Sequence, residues 1–242
     1  MKFLLAAVNA KYIHSNLAVY SLRAYAGPVY ADQIEVAEYT INQQEEQILA
    51  DIFSRKPQVI GFSCYIWNWQ LIRELLQDLP AVLPGVQIWL GGPEVSYDNR
   101  GLLQEFPAVT GIMIGEGEET FRELMGWYTA QAADAGALSS VPDRIRGTVT
   151  RSGDYGVREP VDLDCIPFFY ADLPAKEQEH FQHKILYYET SRGCPYRCAY
   201  CLSSIDKTVR FRSFELVQRD LQFFLDHRVP QVKLIDRTFN CN

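Results

Sequence analysis

Five short strand-like stretches, at residues 2–8, 33–39, 58–63, 86–90 and 111–114, recur along the first half of the chain, the second of them alternating around Ile34 and Val36. Between them lie longer stretches with helical spacing. No other feature restricts the fold as strongly. The first run is apolar almost without a break, as expected of a strand covered on both faces. Residues 16–25 then place Leu17, Tyr20, Ser21 and Ala24 on one side of a helix. Residues 42–54 do the same with Ile48, Leu49, Ile52 and Phe53, and further helices are expected over 68–79, 97–106 and 118–132. Gly27-Pro28 stops the first helix, and Pro80 with Pro84 stops the third. Strands alternating with helices argue a parallel sheet with helices on both faces.

Right-handed crossovers restrict the topology further. The expected order is 2-1-3-4-5, a flavodoxin-like (Rossmann-like) α/β sheet of five parallel strands. Such sheets bind ligands beyond the carboxyl ends of the strands, at the switch point between strands one and three. That places a site among residues 9–15, 63–67, 91–94 and 115–118. Gly91-Gly92, directly after a strand, lets the backbone approach a flat or bulky ligand with no Cβ in the way. Gly115 and Gly117 offer the same one strand over. A tight strand-to-helix turn with no ligand accounts for either glycine pair equally well. No G-x-G-x-x-G follows the first strand and no G-x4-G-K-[ST] occurs, so a dinucleotide or nucleotide cradle is unsupported. Cys64 reads as a small buried hydrophobe.

The second half carries SRGCPYRCAYC at 191–201, with Cys194, Cys198 and Cys201 spaced C-x3-C-x2-C. Thiolate sulfur is the usual ligand of iron–sulfur clusters. Three thiolates on one loop hold three irons of a cubane and leave the fourth open. A structural zinc site wants four ligands, and His183 and His227 are both distant in sequence. A disulfide would leave one cysteine odd.

With Tyr200 just before the last cysteine, this loop resembles the radical S-adenosylmethionine (SAM) enzymes. The resemblance implies a 4Fe-4S cluster on Cys194, Cys198 and Cys201, with S-adenosylmethionine bound at the open iron. One electron from the cluster would cleave it to methionine and a 5′-deoxyadenosyl radical, the kind of chemistry that cofactors carry while protein positions them. A reductant such as flavodoxin or ferredoxin is implied as partner. A strand ending GGPE at 91–94 and a later one ending GEGE at 115–118, with this loop downstream, further resemble the cobalamin-binding domain joined to radical SAM enzymes. In that family the corrin lies over the carboxyl ends of the strands. The resemblance places Asn9, Ser63, Gly91, Gly92 and Glu116 against cobalamin, together with His14.

His14 departs from the pattern. Many cobalamin domains carry D-x-H-x-x-G after strand one, with the histidine on cobalt. Here the loop reads NAKYIHSN, with no Asp two before His14 and no Gly three after. A polar loop histidine at a helix start, where Ser15 or Asn16 serves as N-cap, is the other account. Trp67 and Trp69 follow strand three, where they would either cover a corrin edge or pack a helix.

The domains are read as 1–133, cobalamin-binding-like; 134–183, a linker; and 184–242, the incomplete start of a radical SAM (β/α) barrel. The linker holds a β-hairpin, arms 146–149 and 155–158 about Ser152-Gly153-Asp154. Its VDLDCIPFFY, residues 161–170, resembles the family's connector, with Cys165 outside the cluster set. The barrel start comprises a strand over 184–190, the cysteine loop, a helix capped by Ser213 and a strand over 231–235. Barrel chemistry sits at carboxyl strand ends. Asp236, Arg237 and Asn240 stand there and, with Tyr200, are candidates for S-adenosylmethionine contact; strand-end capping explains the first three equally well. A complete eight-unit barrel takes ~250 residues. The chain is therefore expected to be an N-terminal fragment, inactive alone.

A net charge of −7 argues against a general nucleic-acid surface. Six cysteines in 242 residues are no disulfide scaffold, and thiolate ligands need a reducing compartment, so the cytoplasm is expected. MKFLLAAVNA reads as a first strand, its apolar run being short for a signal peptide. No apolar stretch is long enough to span a bilayer. The reading favoured by resemblance is a cobalamin-dependent radical SAM methyltransferase acting on an unactivated carbon of an unknown substrate. Two others stay open: a tRNA methylthiotransferase-like radical SAM enzyme without cobalamin, and a non-enzymatic cobalamin carrier or sensor.

Overall fold

The structure is a computed structural model that describes residues 1–135, 142, 144–204 and 208–239. It divides into two compact units. The first comprises residues 1–12 and 18–161, and the second residues 13–17 and 162–242.

The first unit opens with strand β1 (Phe3–Asn9), α1 (Leu17–Ala26), a 3-10 turn over Pro28–Gln33 and β2 (Ile34–Thr40). Then follow α2 (Glu45–Arg55), β3 (Val59–Ser63), α3 (Trp69–Val82), β4 (Gln87–Gly91), α4 (Asn99–Glu105), β5 (Val109–Met113) and α5 (Glu118–Ala135). The sheet order begins β2-β1-β3-β4-β5, the expected order, with each of these neighbours parallel. All seven residues of β1 are buried, because it sits between two strands and under helices on both faces.

On one face Leu4, Ala6, Val8, Ile60 and Phe62 meet Ile48 and Ile52 of α2 and Ile72 and Leu75 of α3. On the other, the Phe3 ring meets the ring of Phe121 edge-on at 5.0 Å. Trp89 is fully buried on β4 and donates from Nε1 to Tyr128 Oη at 2.7 Å. Gly111 on β5 makes room for it, since a Cβ there would stand 2.6 Å from the indole. Each such large apolar side chain contributes ~2–3 kcal/mol by leaving water.

Two differences from the sequence expectation bear on the site. Helix α3 runs past Pro80 to Val82 and stops only before Pro84. Pro80 has no N–H to give to the carbonyl four residues before it, and the helix ends two residues after it. The hairpin expected in the linker instead extends the sheet. Its strands β6 (Thr148–Thr150) and β7 (Gly153–Asp154) add antiparallel beyond β5. Arg151 at its tip donates to the carbonyls of Val109, Leu103 and Phe106, so the hairpin also caps α4. An uncovered β5 edge would leave backbone donors and acceptors unpaired, and the hairpin pairs them.

In the second unit the connector is core. Phe168, Tyr170, Tyr188 and Phe224 form a cluster of rings 5.2–6.0 Å apart, edge-on except for the tilted Phe168–Tyr170 pair. Helix α6 (Ala175–Phe181) precedes β8 (Leu186–Tyr188) and β9 (Ser191–Arg192), and then come β10 (Arg210–Phe211), α7 (Phe214–Asp226) and β11 (Val232–Leu234). β8 and β11 pair in parallel around α7, the expected β-α-β unit. Beneath it Asp220, fully buried, accepts from Tyr188 Oη at 2.9 Å and from Arg212 Nε at 3.2 Å. Arg212 also donates to the carbonyls of Leu163 and Ile166, fastening the connector. Among the described residues no helix is long and apolar enough to cross a membrane.

Candidate functional site

In the first unit the carboxyl ends of β1 and β3 are tied by one side chain that no motif announces. Asn68, fully buried, donates from Nδ2 to the carbonyls of Val8 and Ser63, both at 2.9 Å. Its Oδ1 accepts from the Tyr65 amide at 2.8 Å. The only sequence signal was an Asn at a helix start, which reads as a cap; its partners lie on strands.

Ser63 pairs in register with Gly91, and the Cys64 amide donates to the Gly91 carbonyl at 2.7 Å. Gly92 has φ +111°, and a Cβ there would stand 2.5 Å from the Cys64 carbonyl oxygen. Its requirement is therefore internal to the fold. Gly91 differs: a Cβ would meet Met113 at 3.5–3.8 Å, ordinary contacts. Burial pushes the Cys64 thiol up, so this cysteine is the inert hydrophobe expected.

Asn9, buried at the end of β1, donates to Glu38 Oε1 at 2.8 Å. Glu116 Oε2 accepts the Val161 amide at 2.8 Å. Beside these, the β3–α3 loop exposes apolar surface. Trp67 stacks on Tyr65 with ring centroids 4.4 Å apart and planes 8° apart, and Ile66 is 81% exposed. Trp69 instead packs edge-on against Phe106 and the core. Thus Asn9, Ser63, Gly91, Gly92 and Glu116 all stand at carboxyl strand ends, beside an exposed aromatic pair. Small residues flanked by flat apolar surface suit a large planar macrocycle, so the residues present fit a corrin.

Residues 13–17 belong to the second unit, where His14 bridges to Ile185 beside β8. Its Nδ1 lies 2.7 Å from Tyr187 Oη, and the Ser15 hydroxyl donates to the Ile185 carbonyl at 2.9 Å.

The cysteine loop follows β9 in that unit. Gly193 has φ +97°, and a Cβ would fall 2.0 Å from the Thr208 carbonyl oxygen, so only glycine passes there. Cys194 is half-buried, while Cys198 and Cys201 are exposed; none is in a disulfide. A turn joins the last two, the Cys201 amide donating to the Cys198 carbonyl at 3.1 Å. Among the described residues no three His, Cys, Asp or Glu side chains are gathered as metal ligands, so the sulfurs do not form a ready-made cage. The donor set itself, three thiols on one loop with none in a disulfide, fits a thiolate-held iron–sulfur cluster, whose binding would draw them in.

Of the candidates for S-adenosylmethionine contact, Tyr200 is 93% exposed and Arg237 is exposed. Asn240 lies outside the described residues. Asp236 acts as a strand-end cap: Oδ1 accepts from the amide and hydroxyl of Thr190 and from the hydroxyl and amide of Ser191. Its Oδ2 is buried without a partner among the described residues.

The B12 binding domain model matches residues 4–125, half the chain.

The chain belongs to the B12-binding domain family.

Relatives of this B12-binding chain extend the likeness past that domain. It is 29% identical over 190 residues to the cobalamin-dependent radical SAM methyltransferase TokK of Streptomyces tokunonensis, covering 76% of this chain and 28% of TokK. It is 29% identical over 189 residues to the 2-(S-pantetheinyl)-carbapenam-3-carboxylate methyltransferase of Streptantibioticus cattleyicolor, with the same coverage of 76% and 28%. The chain thus spans about a quarter of the length of these curated relatives. Among solved structures it resembles the cobalamin-dependent S-adenosylmethionine radical enzyme OxsB, solved with aqua-cobalamin and S-adenosylmethionine bound. The TM-score is 0.74 at 22% identity, over 98% of this chain and 34% of that one. That likeness concerns the fold.

Proposed function

We propose that this chain is the cobalamin-binding and cluster-bearing part of a cobalamin-dependent radical SAM methyltransferase of the cytoplasm. One observation carries the reading: a B12-binding domain and a C-x3-C-x2-C loop following a barrel-type strand occur in one polypeptide. The two methyltransferase relatives support it, since their matches run over 76% of this chain, more than the B12-binding domain alone. The B12-binding match also speaks for cobalamin over the methylthiotransferase reading.

Within this reading the carboxyl strand ends bind the corrin. Gly91 gives close backbone approach, and Trp67 on Tyr65 offers a flat apolar face. Cys194, Cys198 and Cys201 hold the cluster. When bound, these groups supply an electron for S-adenosylmethionine cleavage and a methyl group for an unactivated carbon. The chain's own work is to bind and orient. Asp236 fixes the strand end that leads into the cysteine loop, and Asn68 fixes the strand ends under the corrin. The electron enters from a flavodoxin- or ferredoxin-type reductant.

The test joins two measurements. Incubation with hydroxocobalamin should leave a corrin absorption band on the protein after desalting. Anaerobic reconstitution with iron and sulfide should load about four irons per chain. Loading should fall when Cys194, Cys198 or Cys201 is replaced by Ser and persist in Cys165→Ser. A protein that retains no corrin and binds one zinc would overturn the reading.

A further inference from the structure

The Cys194 sulfur has a neighbour that neither motif nor spacing announces. Thr238 Oγ1 lies 3.2 Å from Cys194 Sγ, across 44 positions of sequence. Asp236, two residues before Thr238, accepts four hydrogen bonds from Thr190 and Ser191, the residues that lead into Gly193 and Cys194. Gly193 in turn passes hard against the Thr208 carbonyl, where no side chain fits. The approach of Thr238 to Cys194 is therefore braced at both strands and is no accident of two surface side chains.

The chemistry fixes the direction of this hydrogen bond. In a thiol, either sulfur or oxygen can donate. A metal-bound thiolate has no hydrogen, so only the threonine O–H can donate. Hydrogen bonds to cluster sulfurs are one of the terms that set reduction potential. They stabilise the more electron-rich state more, because the sulfur carries more negative charge there, and so they raise the potential.

We propose that Thr238 is a positioning residue whose hydroxyl donates to the Cys194 sulfur and raises the reduction potential of the cluster. The inference rests on the reading of the cysteine loop given above. In the reduction the cluster takes one electron from the reductant; the Thr238 proton stays on its oxygen. No bond to the threonine forms or breaks.

Thr238→Val, Thr238→Ala and Thr238→Ser in the full chain test this. Each protein is reconstituted anaerobically with iron and sulfide, its iron and sulfide counted, and its midpoint potential measured by redox titration followed by electron paramagnetic resonance. With clusters assembled, Val and Ala should shift the midpoint negative. At the wild-type midpoint the ratio of reduced to oxidised cluster should fall by up to roughly fivefold, the limit set by the whole of one net hydrogen bond. Ser should restore the wild-type value. Intact clusters with an unchanged midpoint in Val and Ala would overturn the assignment, as would a Ser variant that behaves like Val. A wild-type chain that assembles no cluster removes the reading of the loop itself, and the inference with it; iron counts distinguish that failure from the others.

Discussion

The Asn68 carboxamide donates to the Val8 carbonyl at 2.9 Å, joining the end of β1 to the start of α3 across 60 positions of sequence. Together with its bonds to Ser63 and Tyr65 it holds the floor of the candidate corrin site. Asn68→Ala removes all three bonds inside a fully buried setting. A buried group left unpaired costs ~1–3 kcal/mol. We expect a loss of ~3 kcal/mol in urea unfolding and weaker corrin retention. A loss under ~1 kcal/mol would mean the carboxamide organises nothing.

Gly91 and Gly92 are adjacent and should answer differently to alanine. At Gly92 the added Cβ meets the Cys64 carbonyl at 2.5 Å with φ at +111°, so Gly92→Ala should destabilise the fold by ~2 kcal/mol or more. At Gly91 the Cβ has ordinary room. Gly91→Ala should melt like the parent but bind hydroxocobalamin more weakly, since the added methyl would stand in the way of a close approach of the ligand to the backbone. Equal binding by Gly91→Ala would remove Gly91 from the corrin site.

Trp67 is 49% exposed and rests only on Tyr65 among the ring contacts described. Trp67→Ala should change stability by less than ~1 kcal/mol, the size of one aromatic pair. Its readout is titration with hydroxocobalamin, where affinity should drop several-fold. Trp69→Ala should show the reverse pattern, costing ~3 kcal/mol as a core truncation while contributing to the site only through the fold.

Burial pushes the Cys64 thiol up, and Cys165 is exposed. Thiolate is the reactive form. At pH 7–8 iodoacetamide should label Cys165 in the native protein and leave Cys64 untouched until denaturant is added. Peptide mass mapping checks this; labelling of Cys64 in the native state would show that its strand end opens.

Much of this was legible from residue order. Strand runs and helix faces follow from periodicity, because a strand buried on both faces must be apolar throughout; the order of the parallel strands was an expectation from the crossover rule. The placement of glycines at strand ends was legible too, though the reason for Gly92 was not: its crowding comes from Cys64, a residue on the neighbouring strand's end. The hairpin at 148–154 was visible as a hairpin, yet its place beside β5 was not. Turn chemistry is local, whereas edge pairing depends on which strand is left open. Likewise the contact of His14 with Tyr187 in the second unit was not legible, because 173 positions separate the two.

The chain's order of residues alone determined the alternating α/β pattern and the C-x3-C-x2-C spacing, since both depend on neighbours a few positions apart. Only tertiary structure decided that Asn68 binds Val8, that Arg212 and Asp220 fasten the connector, and that Thr238 reaches Cys194. Those pairs are separated by 60, 8 and 44 positions, and a buried polar group takes whichever partner the packed fold brings within ~3 Å. No local periodicity encodes that choice, because it is made by the elements after they pack.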